Sequence, residues 1–339
     1  MSRARRVAHS LRRAAAASGS AAVATARLAR DNAHYVIPGI TGAVSTRVRG
    51  AVTPADFTMA WRLKNRNATT AEILAAQEPG RRAIVVAVHG LMGNEHNFED
   101  EQTHGPRLRR EAQVGVLPVR YDSGRHISDN GQALAQLLAE LDSLLPAQLP
   151  LVLLGHSMGG LVLQSAIYYG MQQAAPWTHR VRALITLSTP HQGAPMERIG
   201  HLLAAVMSTL WTVPTRIIGL LGNERSDGIK DLRFGIVVED DWRHPQAGHV
   251  LPPRTRVPVL PHAAYWLVAG QLGTKEPNGA MRLLGDGIVT THSATTLYCS
   301  GTPQSLQTRV IRDTAHTPML WNPHAYELVL HAVQQAVAA

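Results

Sequence analysis

The sequence predicts an α/β fold with a mostly parallel central sheet and helices on both faces. Short apolar runs, each long enough for one buried strand, alternate with helix-compatible segments through most of the chain. One of these runs passes through a glycine-flanked serine directly into a helix, which is a strand–turn–helix unit. The 339 residues, 45% of them hydrophobic, favour one large core with an insertion over two domains.

The elements follow one another along the chain in a regular order. The β-branched run Ile84–Val88 is typical of a central strand. The predicted strands are 83–89, 114–121, 150–155, 181–188, 265–270 and 308–312, and the predicted helices are 105–113, 130–145, 158–173 and 323–338. The predicted organisation is a basic arm (1–34), a lead-in region (35–80), a core (81–195 and 263–339) and an inserted cap or lid (196–262).

The insertion begins with an apolar stripe at helical spacing. Its members are Ile199, Leu202, Leu203, Val206, Met207, Leu210 and Trp211. Pro214 ends this stripe, and a second short apolar run covers 217–221. Two interpretations stay open, ordinary core contacts or a cover that binds an acyl chain or meets a lipid surface.

The segment Gly155-His156-Ser157-Met158-Gly159 has the features of a nucleophile elbow. It follows the strand 150–155 and opens the helix 158–173. Glycines on both sides of Ser157 allow a tight turn and close approach of the helix, which exposes the hydroxyl. Unpaired N–H groups at the helix start point toward developing negative charge. Ser157 is therefore the candidate nucleophile, with a structural serine on a tight turn as the alternative.

The loop after the strand 83–89 supplies candidate oxyanion donors. Gly90 allows this loop to fold back over the elbow, so that the Leu91 N–H joins the Met158 N–H around a substrate carbonyl oxygen. His89 stands at the end of the strand and is interpreted as a residue that braces the loop rather than as the base.

The candidate acid and base lie in two later loops. Asp286 stands between two glycines after the strand 265–270, and His316 follows the strand 308–312. The chain order Ser157, Asp286, His316 is the order of an α/β-hydrolase triad, and differs from those of chymotrypsin and subtilisin. In this interpretation His316 accepts and returns the serine proton, while Asp286 fixes its tautomer and stabilises the imidazolium.

Competing residues exist for both roles. The 17 histidines include His292, His324 and His331 near His316 in sequence, but the loop position after the final strand favours His316. Asp240 and Asp241 compete with Asp286, but their charged stretch is typical of a solvated surface. Gly285-Asp286-Gly287 is also compatible with a plain turn.

These motifs together resemble a known family. The segments 88–93, 155–160, 187–195 and 285–289 are similar to the serine esterase and lipase branch of the α/β-hydrolases, especially bacterial triacylglycerol lipases and esterases like GPI inositol-deacylase. The resemblance covers residues 82–335 and implies the α/β-hydrolase fold. It also implies that Thr189, Pro190 and His191 line the substrate pocket, which His89, Gly90 and His156 border from the other motifs.

Charge and composition exclude several function classes. The net charge of +9 is concentrated in the arm, whose residues 1–30 hold seven arginines and no acid. This arm fits a basic helix on an anionic membrane surface, a disordered tail or a transit-like extension. A terminal charge without a recognition module argues against nucleic-acid binding. No metal-spaced cluster, phosphate-binding loop or dinucleotide motif is present, so no metal or cofactor is expected.

The sequence therefore predicts a cofactor-free serine hydrolase that cleaves carboxylic esters, with acyl lipids as the favoured substrates because of the apolar cap. Acyl transfer to another alcohol, thioester or amide cleavage, and a non-catalytic membrane-tethered binding protein remain as alternatives. The single cysteine, Cys299, permits no internal disulfide and favours a cytoplasmic protein, with peripheral membrane contact through the arm as a further expectation.

Overall fold

The computed structural model describes residues 58–195, 198–199, 226–243, 254–273 and 284–338. Their central feature is an eight-stranded sheet. Its strands are β1 (Ala60–Leu63), β2 (Arg66–Ala68), β3 (Ile84–Val88), β4 (Gly115–Arg120), β5 (Leu151–His156), β6 (Val181–Leu187), β8 (Ala264–Gln271) and β10 (Ser305–Arg312). The short strands β7 (Val257–Pro258) and β9 (Cys299–Ser300) pair separately in parallel.

The strand order across the large sheet is β10-β8-β6-β5-β3-β4-β1-β2. The six strands from β10 to β4 are mutually parallel, and β1 is antiparallel to both β4 and β2. From β3 the chain first adds β4 on one side and then β5 on the other. Because ligands bind at such a reversal, outside the carboxyl ends of the strands, the site is expected beside β3 and β5.

Helices cover both faces of this sheet, because side chains alternate between the faces along each buried strand. On β3, Ile84, Val86 and Val88 belong to one core cluster, whereas Val85 and Ala87 belong to the other. The first cluster packs against helices α1 (Thr70–Ala75), α4 (Ile127–Leu144) and α5 (Met158–Gln172). The second packs against α3 (His104–Ala112) and α9 (Pro323–Ala338).

Shorter elements complete the described chain. They are α2 (His96–Glu99), α6 (Asp227–Phe234), α7 (Glu239–Arg243) and α8 (Thr291–Thr295), with 3₁₀ turns at Pro176–Arg180 and Thr317–Leu320. Each predicted strand and helix of the core is present, with ends shifted by up to three residues. The hairpin β1–β2 and helix α1 fall in the lead-in region, where no element was predicted.

Most of the predicted cap lies outside the described residues, including the apolar stripe from Leu202 to Trp211 and the run 217–221. The basic arm also lies outside them. Within the described part of 196–262, helices α6 and α7 pack near α4. No helix among the described residues is both long enough and apolar enough to cross a membrane.

Candidate active site

Ser157 stands at a sharp turn between β5 and α5. Its φ of 54° is in the left-handed region, which is unfavourable for a residue with a Cβ. The Ser157 N–H donates to the carbonyl of Leu187 at 2.8 Å, so the turn is held against the end of β6. Backbone strain of this kind is found at catalytic sites, where the surrounding structure maintains it.

The glycines around Ser157 are required by close packing. A Cβ on Gly155 would lie 2.6 Å from the Gly160 nitrogen, and one on Gly159 would lie 2.1 Å from the Val88 carbonyl oxygen. A Cβ on Gly160 would meet the Thr189 hydroxyl at 2.1 Å. We call Gly155–Gly160 the elbow; it packs against β3 and the end of β6 without room for side chains at these three positions.

The structure brings His316 and Asp286 to the elbow from 159 and 129 residues away in sequence. His316 Nε2 lies 2.9 Å from Ser157 Oγ, and His316 Nδ1 lies 2.8 Å from Asp286 Oδ2. The His316 N–H also donates to the Asp286 carbonyl at 3.1 Å, which ties the two loops together. One imidazole therefore bridges the serine hydroxyl and the carboxylate.

Asp286 is buried, and its surroundings favour the ionised carboxylate. Burial favours its neutral form, but the His316 imidazole and backbone N–H donors outweigh burial and hold the pKa of Asp286 below its usual value. The Ile288 and Val289 N–H groups both donate to Oδ1, at 3.0 and 2.8 Å. Its second oxygen is thus left for the imidazole.

The competing residues lie elsewhere. His292 contacts Thr296, His324 pairs with Glu327 and His331 contacts Gln335, each within its own helix or at that helix's end. Asp240 is exposed as expected, but Asp241 is buried, which corrects the prediction of a wholly solvated stretch. Its carboxylate accepts hydrogen bonds from the Thr255 N–H and hydroxyl and so joins α7 to the segment before β7.

The two predicted oxyanion donors belong to two different segments that meet at Ser157. Met158 is the first residue of α5, and Leu91 belongs to the segment 89–97, which we call the Gly90 loop. No described residue accepts a hydrogen bond from either backbone N–H. A Cβ on Gly90 would lie only 2.9 Å from the Ser157 Cβ, so the loop backbone reaches the elbow because residue 90 is glycine.

His89 braces this loop from behind, as its position at the end of β3 predicted. It is buried and stacks on Tyr121 with ring centroids 4.3 Å apart. Its Nδ1–H donates to the Gly90 carbonyl at 2.8 Å, and the Tyr121 hydroxyl donates to the His89 carbonyl at 2.7 Å. Burial lowers the pKa of His89 to about 4, so the ring is neutral near pH 7.

A cavity of about 610 Å³ opens beside Ser157. Ser157, His156, His316, Gly90 and Leu91 are among the residues that line it. The rest of the lining is mixed: Met92, Leu320 and Trp321 are apolar, whereas Asn94, Asn97, Asp100 and Gln102 are polar.

Four of the predicted pocket residues do not line this cavity: His89, Thr189, Pro190 and His191. The 189–191 segment packs under α5 instead, because Gly160 has no side chain and the Thr189 side chain occupies that space. His191 is buried, its ring contacts Gln164 and Thr186, and burial lowers its pKa to about 3. The expectation carried over from the family is therefore corrected for this cavity.

Several residues around the site were not predicted from the sequence, because no motif or pattern marks them. Arg62 and Arg120 bind Glu95 in a buried cluster behind the Gly90 loop. His104 donates from Nε2 to the carbonyl of Met319 at 3.0 Å, behind the turn that follows His316. No group of three or more potential metal ligands occurs in the described ranges.

Comparison with known proteins bears on the fold. Residues 121–260 match the family model of the PGAP1-like alpha/beta domain. The matched stretch contains β5, the elbow, α5 and β6. Strands β3 and β4, where the strand order of the parallel sheet reverses, lie just before it in the chain. The chain has the α/β-hydrolase fold. The matched stretch contains Ser157 and ends before Asp286 and His316, and the match supports the resemblance inferred from the motifs.

Solved structures also resemble this chain. Mature Bacillus licheniformis lipase BlEst2 is 20% identical, with 76% of this chain and 94% of that chain covered and a TM-score of 0.48. The RedJ thioesterase of the Streptomyces coelicolor prodiginine pathway is 19% identical, with 76% and 92% covered and a TM-score of 0.44. A Thermogutta terrifontis esterase is 18% identical, with 76% and 90% covered and a TM-score of 0.37. No curated protein sequence matches the chain.

Proposed function

We propose that this α/β-hydrolase cleaves carboxylic esters through a Ser157 acyl-enzyme. The observation that carries the proposal is the position of the His316 ring, within hydrogen-bonding distance of both Ser157 Oγ (2.9 Å) and Asp286 Oδ2 (2.8 Å). A serine hydroxyl is a weak nucleophile until a base removes its proton, and a histidine works as that base when a third group orients it.

The acylation step follows from this geometry. Ser157 Oγ attacks the ester carbonyl carbon while His316 Nε2 takes the hydroxyl proton, and Asp286 stays ionised beside the imidazolium. The carbonyl oxygen becomes an oxyanion, for which the Leu91 and Met158 N–H groups are the proposed donors. Collapse of the tetrahedral intermediate breaks the bond to the leaving alkoxide, which receives the proton from His316.

Deacylation repeats the same proton transfers with water. His316 takes a proton from the water as its oxygen attacks the acyl-enzyme, and returns that proton to Ser157 Oγ as the acid is released. The Ser157–acyl bond breaks and the new C–O bond comes from water, so the enzyme returns to its starting state. An alcohol in place of water would give acyl transfer, which is the alternative reaction on the same groups.

Acyl lipids are the proposed substrates. The apolar stripe in the sequence of 199–211 supports this, as do Met92, Leu320 and Trp321, three apolar residues that line the cavity beside Ser157. The polar residues of the lining, among them Asn94 and Asn97, would accommodate the alcohol portion of the ester. Thioesters and amides are alternatives, because the same groups attack any of these carbonyls.

The test is hydrolysis of p-nitrophenyl esters of increasing acyl length by the wild type and by Ser157→Ala. The control is Ser143→Ala, since Ser143 lies near the C-terminal end of α4, away from the cavity, and its hydroxyl donates to the Glu140 carbonyl. We expect Ser157→Ala to lose activity by a factor of about 10³ or more, and Ser143→Ala to match the wild type.

The chain-length profile and covalent labelling distinguish the alternatives. Increasing turnover with longer chains supports acyl-lipid substrates, whereas a preference for short chains indicates a general esterase. Labelling of Ser157 by a fluorophosphonate without ester turnover would favour an acyltransferase or amidase. Neither labelling nor turnover would favour the non-catalytic binding protein and would contradict the proposal.

A further inference from the structure

A buried cluster of charges lies behind the Gly90 loop. Glu95, which is 3% exposed, belongs to the loop, whereas Arg120 ends β4 and Arg62 lies on β1. Arg120 binds the carboxylate with both Nε and Nη2, the Nε contact to Oε2 being 2.7 Å. Arg62 Nε donates to Oε1 at 2.9 Å. The carboxylate of one loop residue is thus clamped by guanidinium groups from two adjacent strands.

Such a cluster is expected to add little to the free energy of unfolding. Removing three charged groups from water carries a large desolvation cost, which buried ion pairs often fail to repay relative to apolar residues of similar size. A bidentate arginine contact, however, fixes the angle as well as the distance of a carboxylate. The cluster is therefore suited to holding the Glu95 backbone in one position relative to the sheet.

The rest of the Gly90 loop transmits that position toward Ser157. The Gly93 N–H donates to the Gly90 carbonyl at 3.1 Å, forming a tight turn that contains Leu91. The Met92 N–H donates to Ser123 Oγ at 3.0 Å, in the loop that follows β4. A Cβ on Gly93 would lie 3.1 Å from the His89 Cβ, so the turn is compact. Only three residues lie between Leu91 and the clamped Glu95.

We infer that Glu95, Arg120 and Arg62 are positioning residues that hold the Leu91 N–H in place for the oxyanion of the transition state. The inference rests on the proposed ester hydrolysis. It gives the antiparallel strand β1 a role in the reaction, although β1 itself does not line the cavity. An oxyanion donor stabilises the transition state more than the ground state, so misplacing it lowers kcat and leaves KM nearly unchanged.

The experiment compares Arg120→Lys, Arg62→Lys and Glu95→Gln with the wild type and with a matched control, Glu99→Gln. Glu99 forms an ion pair with Arg109, but that pair is partly exposed and lies farther along the chain, past the end of the loop. Lysine keeps the positive charge and loses the forked contact, so the lysine variants are the most conservative. Thermal unfolding of each protein at pH 7 separates folding defects from catalytic ones.

Two kinetic readouts are used with one acyl chain. The first is kcat and KM for a p-nitrophenyl ester; the second is Ki for a trifluoromethyl ketone, whose adduct with Ser157 places an oxyanion between the proposed donors. We expect Arg120→Lys to lower kcat and raise Ki each by about tenfold, with KM within about twofold of the wild type. Arg62→Lys gives a smaller change in the same direction, because Arg62 makes one contact to Glu95, and Glu99→Gln gives none.

The opposite outcomes overturn the inference. Lysine variants that unfold at lower temperature but keep kcat and Ki would show that the cluster serves stability alone. A change in KM without one in kcat would place the effect in ground-state binding. If Glu95→Gln fails to fold, the two lysine variants still decide the question. A wild type that neither turns over nor reacts with the ketone would instead overturn the proposed function and the inference that rests on it.

Discussion

The elbow and the Gly90 loop meet at Ser157, yet they are held in different ways. The elbow is built from close backbone packing, in which glycines at 155, 159 and 160 leave no space for a Cβ. The Gly90 loop depends on polar and charged partners, among them Arg120, Tyr121 and Ser123 from the end of β4 and the segment after it. Packing fixes the nucleophile through local geometry, whereas long-range polar contacts fix the residue proposed to donate to the oxyanion.

Within this comparison, the largest expected effect comes from the contact between the two regions. In Gly90→Ala the new Cβ would stand 2.9 Å from the Ser157 Cβ and 3.3 Å from His156 Nδ1. Neither neighbour is the free end of a flexible chain, so the loop must move away from the elbow. We expect kcat to fall by a factor of about 10² to 10³, as for loss of one oxyanion donor. Ester kinetics of the purified variant give the measurement.

Stability measurements separate this effect from a general folding defect. Overpacking of this size is expected to cost about 1–3 kcal/mol of unfolding free energy, which leaves the variant folded if the wild type has ordinary stability. Urea unfolding of both proteins tests that expectation. A kcat within twofold of the wild type would mean that the loop tolerates displacement, and the polar clamps would then have no catalytic role.

The difference between the regions also explains what the sequence could predict. The elbow is encoded within six consecutive residues, and the loop positions of Asp286 and His316 follow from the strand rhythm. The partners of Glu95 lie 33 and 25 residues away, on strands whose pairing no local pattern reveals. Arg62, in particular, lies in a short hairpin of charged residues that resembles a surface loop.

The roles of the buried histidines were also difficult to predict from the sequence. Position after a strand distinguished His316 from its neighbours in sequence, but burial and tautomer depend on contacts across the fold. His156 is an example, since its Nε2–H donates to the carbonyl of His316 at 3.1 Å and its ring lies 4.9 Å from that of His316. The family-derived pocket role of His191 failed for this cavity because its ring is used inside the protein, between α5 and β6.

Acid is expected to weaken both regions through their neutral histidines. Burial lowers the pKa of His89, in the loop, to about 4 and that of His156, in the elbow, to about 3. Unfolding restores a pKa near 6.5, so the unfolded chain binds more protons below that pH. The contribution of these two neutral histidines to the free energy of unfolding is therefore fully present above about pH 6.5, and it declines as the pH falls toward 4.

Replacing either histidine tests this linkage. In His89→Gln or His156→Gln, the slope of unfolding free energy against pH between pH 4.5 and 6 should decrease by about 1.4 kcal/mol per pH unit, which corresponds to one proton. Urea unfolding at four or five pH values gives the slopes. A slope equal to that of the wild type in one variant would mean that its ring is protonated in the folded protein, and that this histidine does not contribute to the acid sensitivity.

The smallest expected effect concerns the contact of the elbow with the 189–191 segment. The Thr189 hydroxyl is buried and has no hydrogen-bond partner among the described residues, although its side chain packs against Gly160. Thr189→Val keeps that shape and removes an unpaired polar group, so unfolding free energy should stay level or rise by up to about 1 kcal/mol. Ester kcat/KM should remain within twofold, because Thr189 does not line the cavity. A marked loss of kcat/KM without loss of stability would instead restore the family-derived role of Thr189 at the substrate, and would show that the elbow, too, depends on a polar contact.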